Sequence, residues 1–149
     1  MKVVLQRVTD CQLLIDQKKF SEINSGLLVL LGVTQEDTVE DTDWLVNKVC
    51  NLRIFNDDND KMNLSIKDIS GSLMVVSQFT LHASTKKGNR PSYIKASKPD
   101  HAIPMYELFV SKCRERISKV ETGVFGADMK VKFTNDGPVT IIIDSKDKS

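Results

Sequence analysis

Histidine is nearly missing from this sequence. His82 and His101 are the two present, and neither stands beside a nucleophile-like serine. No serine–histidine pair can therefore be read off the chain. Cysteine is scarce too: Cys11, Cys50 and Cys113 are far apart and in no ligand-like spacing, which excludes a zinc cluster. Their odd number and the lack of a secretory leader imply reduced thiols in the cytoplasm. No glycine-rich phosphate loop occurs. The longest apolar run, Leu27 to Leu31 with Val33 just beyond, is far too short to span a bilayer. Charge of one sign is lacking as well: the formal net charge is +1, so any contact with nucleic acid must come from a local patch. No metal or cofactor is expected. Whatever this chain catalyses must be chemically easy, or must borrow chemistry from its substrate.

What is present fits one domain over residues 1–149, long enough to bury roughly two thirds of its unfolded surface. Lys2 to Val8 and Cys11 to Asp16 read as two strands joined by a Thr9-Asp10 turn. Gln17-Lys18-Lys19 reads as the next turn, leading into Phe20 to Ile23. Leu27 to Val33, apolar on both faces, predicts a central strand covered on both sides. Thr38 with Asp41 resembles a capping box, and Leu45, Val46, Val49 and Leu52 supply the apolar stripe of a first helix. Trp44 reads as a packing anchor. Asn56 to Asp60 superficially resembles a calcium loop but lacks the turn glycine and the closing glutamate, so it reads as an acidic turn. A second helix is expected with Asp100 as its cap and Pro104 in its first turn. Its buried face would be Ala102, Tyr106, Phe109, Cys113 and Ile117. Met129 to Thr134 and Val139 to Asp144 read as two strands separated by Asn135 to Pro138. The tail Ser145 to Ser149 is expected to fray.

Three features point toward a site. Leu73 to Val76 is a β-forming run that ends in Ser77-Gln78-Phe79-Thr80-Leu81. Continued as a strand, it would send Gln78 and Thr80 from one face, roughly 7 Å apart. Polar groups there suggest either a site or a strand emerging into solvent. The stretch from His82 to Asp100 carries Lys86, Lys87, Arg90, Lys95 and Lys98 with no acid before Asp100. It could meet phosphates or be a solvated loop, although long ordered loops tend to carry function. Arg7 places a charge on an otherwise apolar strand, where an exposed edge residue is the common case.

Ser77 to Leu81, taken with Asn135-Asp136-Gly137-Pro138-Val139-Thr140, resembles the paired signature of the D-aminoacyl-tRNA deacylase (D-tyrosyl-tRNA deacylase) family. The likeness runs nearly end to end, through Gly26 to Val33, Leu52 to Phe55, Lys61 to Asn63, Lys87 to Pro91 and Thr122 to Ala127. It implies an α/β fold, with mixed β-sheets forming a barrel-like core beside two main helices. It also implies a homodimer with active sites at the interface. One subunit would offer Ser77 to Thr80, and the other would insert Gly137-Pro138 with a cis peptide whose carbonyls exclude L side chains. The resemblance places Phe125 and Met129 in the same pocket and has Arg7 brace the Gly–Pro turn. The substrate would be the 3′ end of D-aminoacyl-tRNA, and glycyl-tRNA mischarged on tRNA-Ala would also be admitted. Backbone N–H groups near Gln78, Phe79 and Thr80 would stabilise the oxyanion, and the 2′-hydroxyl of the terminal adenosine would help position water. Thr80 as a covalent nucleophile is the competing proposal. Lys86, Lys87 and Arg90 are the expected tRNA contacts.

Two alternatives remain at this point. A binding module for tRNA or DNA ends would use the basic stretch without chemistry. The paralogue that clears L-alanine carries a Pro-Gln-Ala-Thr-type motif, against which Ser77-Gln78-Phe79 argues.

Overall fold

The computed structural model describes residues 1–148. Its first element, β1 (Lys2–Ile15), is one long strand rather than two. Asp10 takes a left-handed backbone conformation (φ 51°) and makes a bulge, so the strand bends without reversing. The reversal comes later than expected. Asp16 and Gln17 both have positive φ, as a two-residue hairpin loop requires, and Lys18 and Lys19 already belong to β2 (Lys18–Ile23).

Strand β3 (Gly26–Gly32) pairs antiparallel with Lys2 to Val8, while β2 pairs with Cys11 to Ile15. These two strands share one edge of β1 between them. Helix α1 (Val39–Asn51) starts at Thr38, whose backbone N–H donates to Asp41 Oδ2 at 2.8 Å. Leu45, Val46, Val49 and Cys50 are buried on its inner face. Trp44 packs against the core as expected. The acidic turn joins β4 (Phe55–Asn56) to β5 (Met62–Leu64), and Asp57 accepts the N–H groups of Asn59 and Lys61.

Strand β6 (Ser72–Ser77) lies parallel to β3, followed by helix α2 (Pro99–Arg114) and β7 (Val120–Thr122), which is parallel to β6. Helix α2 begins earlier than predicted. Pro99 occupies its first position, where a fixed φ suits the helix, which leaves Asp100 inside the first turn and Pro104 in the helix interior. Ala102, Tyr106, Phe109 and Cys113 are buried on its inner face as expected, whereas Ile117 is buried beyond the helix, which ends at Arg114.

Strand β8 (Met129–Asp144) follows the other edge of β1 along nearly its whole length. The two C-terminal strands expected from the sequence are thus halves of one. Asn135 pairs with Val8 and Thr140 with Gln6, so Asp136 to Val139 stand opposite the single residue Arg7 as a protruding bulge.

The result is a mixed six-stranded sheet curled toward closure, with both helices on one side. Along β3 the alternation sorts the side chains. Leu27, Val29 and Leu31 join the core under the helices, while Leu28 packs inside the curl with Val8, Leu13, Ile23, Met74 and Val76. Where the curl nearly closes, Ser21 Oγ on β2 donates to the Thr122 carbonyl on β7 at 2.7 Å. Among the described residues no helix is long and apolar enough to cross a membrane.

The first residue of the tail expected to fray is tied down, while Lys146 to Lys148 are exposed. Ser145 is buried, donates its N–H to the Met1 carbonyl at 2.8 Å, and donates its hydroxyl to Asp41 Oδ1 at 2.6 Å. Ser149, the last residue of that expectation, lies outside the described residues. The Met1 ammonium is ion-paired with the buried Asp37.

Burial works against charge on Asp41. Hydrogen bonds from Ser145, the Thr38 N–H and Lys146 outweigh it and hold the carboxyl well below the usual carboxylate range. A depressed folded-state value gives stability that is fully present above the unfolded value of about 3.9 and is lost as pH falls toward the folded one. We expect the melting temperature to drop as pH falls below about 4, with a shallower acid limb in Asp41→Asn. Thermal unfolding of both proteins from neutral to strongly acidic pH checks this. Parallel curves would assign the acid limb to other groups.

Candidate active site

The end of β6 is where parallel strands deliver their last side chains, beside the end of β3. The strand stops at Ser77. Gln78 turns its N–H onto the Leu31 carbonyl at 2.7 Å, and Phe79–His82 form a single 3₁₀ turn. The strand alternation expected through Leu81 is therefore replaced by a tight turn. Gln78 and Thr80 do not stand two strand steps apart, because the Gln78 side-chain amide donates directly to Thr80 Oγ1.

This turn has two donors to offer. Among the described residues no carbonyl takes the N–H of Phe79 or of Thr80, whereas the N–H of Gln78 is engaged by Leu31. The sequence reading, which grouped all three, is corrected on this point. Gln78 contributes its side chain, and the free N–H groups belong to the next two residues.

Next to the turn is a cleft of about 310 Å³. Ser77, Gln78 and Phe79 line it, together with Phe125 ahead of β8 and Met129, the first residue of β8. Five of the sequence-derived residues thus meet in one cavity. Thr80 lies on the turn but does not line the cleft, and neither do Arg7, Gly137 or Pro138.

Arg7 is buried, not an exposed edge residue. Its Nε donates to the Asp136 carbonyl at 2.9 Å, and Nη1 donates to the Ile54 carbonyl at 2.9 Å and to Asn56 Oδ1 at 3.1 Å. The β8 bulge is further tied by Asn135 Oδ1, which accepts the Val139 N–H at 3.1 Å. Gly137 and Pro138, joined by a cis peptide, are exposed at its tip. The basic residues sit elsewhere. Ser84 and Ser92 exchange backbone hydrogen bonds and close a loop that carries Lys86, Lys87 and Arg90, all exposed.

The sequence reading missed several lining residues, including Ser97, Ala102, Asp128 and Tyr106. By its helical spacing Tyr106 reads as packing alone. Its hydroxyl donates to the Val75 carbonyl at 2.7 Å, and burial pushes its pKa up to about 12, so it stays protonated. A phenol on a buried helix face needs an acceptor, and that need was the available signal. Asp128 is the carboxylate at the cleft, but it is largely exposed and ion-paired with Lys130 at 2.8 Å. Neither histidine lines the cleft. All three cysteines are buried, and burial pushes the Cys11 thiol up to about 11. This cavity is suited to positioning an already reactive group between apolar walls and backbone donors.

Comparison with known proteins decides what family this arrangement belongs to. The family model described as D-Tyr-tRNA(Tyr) deacylase matches residues 4–144. The chain belongs to that family. A D-aminoacyl-tRNA deacylase of Flavobacterium psychrophilum is 61% identical over 149 residues, and one of Flavobacterium johnsoniae is 57% identical, each alignment covering 99% of both chains. Among solved structures, the c-Myc DNA Unwinding Element Binding Protein superposes with a TM-score of 0.92 at 38% identity, over 97% of this chain and 98% of its own. A probable eukaryotic D-amino acid tRNA deacylase superposes with a TM-score of 0.82 at 18% identity, which speaks for the fold. Membership of the D-Tyr-tRNA(Tyr) deacylase family makes the chain an enzyme, a hydrolase acting on ester bonds.

Proposed function

We propose that the chain, acting as one domain over residues 1–149 in the cytoplasm, hydrolyses the ester of D-aminoacyl-tRNA and releases tRNA and the D-amino acid. The observation that carries this reading is the 310 Å³ cleft with Phe79 on its wall, its N–H unengaged, and the unengaged N–H of Thr80 next along the turn. An aminoacyl ester is already activated, so the protein's task is to orient water and to stabilise the oxyanion. Two N–H donors aimed at that oxygen would supply about 3–4 kcal/mol each. The attacking water adds to the carbonyl carbon, the oxyanion collapses, and the terminal ribose oxygen leaves. The 2′-hydroxyl of the terminal adenosine is placed to position the water.

Thr80 is not the nucleophile in this scheme. Its Oγ1 receives a hydrogen bond from the Gln78 amide, a donor that cannot remove the hydroxyl proton. Discrimination falls to Gly137-Pro138, contributed to the cleft by the partner subunit of a homodimer. The exposed tip of the β8 bulge and its separation from its own cleft support this reading. Exclusion is the workable device because both enantiomers carry the same groups and only a steric or unpaired-polar penalty separates them. Such a pocket also admits glycyl-tRNA, which has no side chain to exclude.

The test is deacylation of matched D- and L-tyrosyl-tRNA by the purified protein, with a Thr80→Ala variant alongside. We expect rapid loss of the D ester alone and near-normal turnover in the variant. Loss of both esters would make this a general esterase and end the exclusion reading. A variant that binds tRNA normally but is inert would restore Thr80 as nucleophile. If neither ester is lost while tRNA still binds, the chain is a binding module.

A further inference from the structure

Tyr93 has a position that the proposed chemistry does not account for. Its ring meets that of Phe79 edge-on, with centroids 5.1 Å apart and planes at 75°. Neither ring is hidden by the contact: Phe79 remains 54% exposed and Tyr93 41% exposed. Phe79 lines the cleft, whereas Tyr93 directly follows the basic loop closed at Ser92, so this pair joins the two regions. Immediately after Tyr93 come Ile94, which is 90% exposed, and Lys95. Both line a second, larger groove of about 880 Å³ together with Lys86, Leu81 and His82, and with Glu36 and Asp144, the latter ion-paired with Lys2. The 3₁₀ turn is therefore a ridge, with Gln78 and Phe79 on the cleft side and Leu81 and His82 on the groove side. Among the described residues, none of Lys86, Lys87, Arg90, Lys95 and Lys98 is in an ion pair.

Exposed rings beside unpaired cations are the arrangement that holds single-stranded nucleic acid, with bases on the π faces and phosphates on the cations. We infer that Tyr93 stacks on the base of the unpaired nucleotide preceding the terminal adenosine, with Lys86 and Lys95 taking the neighbouring phosphates in the second groove. This inference rests on the aminoacyl-tRNA reading above and assigns a base-positioning residue outside the cleft. The geometry gives the strand its path. On this path the ester would lie in the cleft, the chain would cross the ridge at the ring pair, and its backbone would continue past Lys86 and Lys95 in the second groove.

A purely structural Tyr93 would do no more than shield Phe79. The two roles separate in kinetics. Tyr93→Ala and Tyr93→Phe are compared on D-tyrosyl-tRNA and on D-tyrosyl-adenosine, which lacks the preceding nucleotide. Loss of a stacked base weakens binding by roughly five- to a hundredfold. We therefore expect Tyr93→Ala to raise KM for the tRNA ester by that order with little change in kcat, and Tyr93→Phe to restore it. The advantage of the tRNA ester over the adenosyl ester should shrink by the same factor. An unchanged KM overturns the assignment, and so does an equal loss on both esters, which would mark Tyr93 as a prop for Phe79.

Binding is measured separately, by fluorescence anisotropy of an uncharged RNA hairpin with an unpaired CCA end. Tyr93→Ala should weaken it and Tyr93→Phe should not. The Lys86→Ala, Lys95→Ala double variant should lower the salt slope of log affinity by roughly 1.4, at about 0.7 per single-strand phosphate. If the wild-type protein hydrolyses neither ester, the deacylase reading fails while this binding series still decides the role of Tyr93. Equal affinity of all variants for the hairpin overturns it.

Discussion

Arg7→Met is expected to lower hydrolysis of D-tyrosyl-tRNA by roughly a hundredfold or more, the size of effect that small misplacements of a catalytic constellation produce. Its side chain holds three acceptors at once, the Asp136 and Ile54 carbonyls and Asn56 Oδ1. One of them lies in the β8 bulge that presents Gly137 and Pro138, and the other two lie at Ile54, just before β4, and at Asn56 within it. Methionine fills similar space but leaves those acceptors without their donor. The buried one, the Ile54 carbonyl, left unpaired costs about 1–3 kcal/mol. Lysine is no substitute, because a single ammonium cannot reproduce the spread of Nε and Nη1 around the bulge. The variant should therefore lose stability as well as activity, and the two losses can be told apart. Urea denaturation gives the first, and turnover under conditions where the variant is folded gives the second. Folded Arg7→Met with wild-type D-ester turnover would show that the bulge needs no such brace, and would remove Arg7 from the site.

Gly26→Ala should have the largest effect on folding. Gly26 opens β3 at its parallel pairing with Ser72, and a Cβ there would lie 1.8 Å from the Ser72 carbonyl oxygen. The obstacle is backbone in the middle of the sheet, so no rotamer change relieves it. The cost should exceed the ~1–3 kcal/mol typical of an overpacked core. Gly71→Ala is the natural comparison. Its Cβ would come 2.9 Å from Ile66 Cγ1, a side-chain atom with some freedom to shift. Urea midpoints of the two variants should differ strongly, with Gly26→Ala giving little or no native protein. Equal midpoints would mean that β3 and β6 can part locally at Ser72 with little penalty.

Local patterns carried much of the architecture. The apolar run from Leu27 to Val33 predicted a strand covered on both faces, and Leu27 to Val29 are buried on both sides of the sheet. Thr38 and Asp41 marked the start of α1, because capping involves residues three apart in sequence. The errors arose where the deciding contact was distant. From sequence Asp10 reads as a turn, because an acidic residue there is locally compatible with one. Pairing with β8 on the far edge of β1 makes it a bulge. Ser145 was read as part of a frayed tail because it is small and polar, yet Met1 and Asp41 bind it from far away in the chain. At Ser77 the strand should have run on by propensity. It stops because the Leu31 carbonyl captures the Gln78 N–H, and because Gly32 leaves room for the His82 ring.

The same division holds for the candidate site. The sequence alone determined the cluster from Ser77 to Thr80 and the family resemblance, whose motifs can be matched residue by residue without knowing their contacts, and the resemblance in turn implied the fold class. Only the tertiary structure decided which N–H groups of that cluster are free, that Phe125 and Met129 line the same cleft, and that Tyr106 and Ser97 join the wall. It also placed Tyr93 against Phe79 and Arg7 against the bulge. Hydrogen bonds and ring contacts between distant segments depend on how the sheet curls and where strands end. That curvature is set by packing over the whole sheet, which no local stretch of sequence encodes.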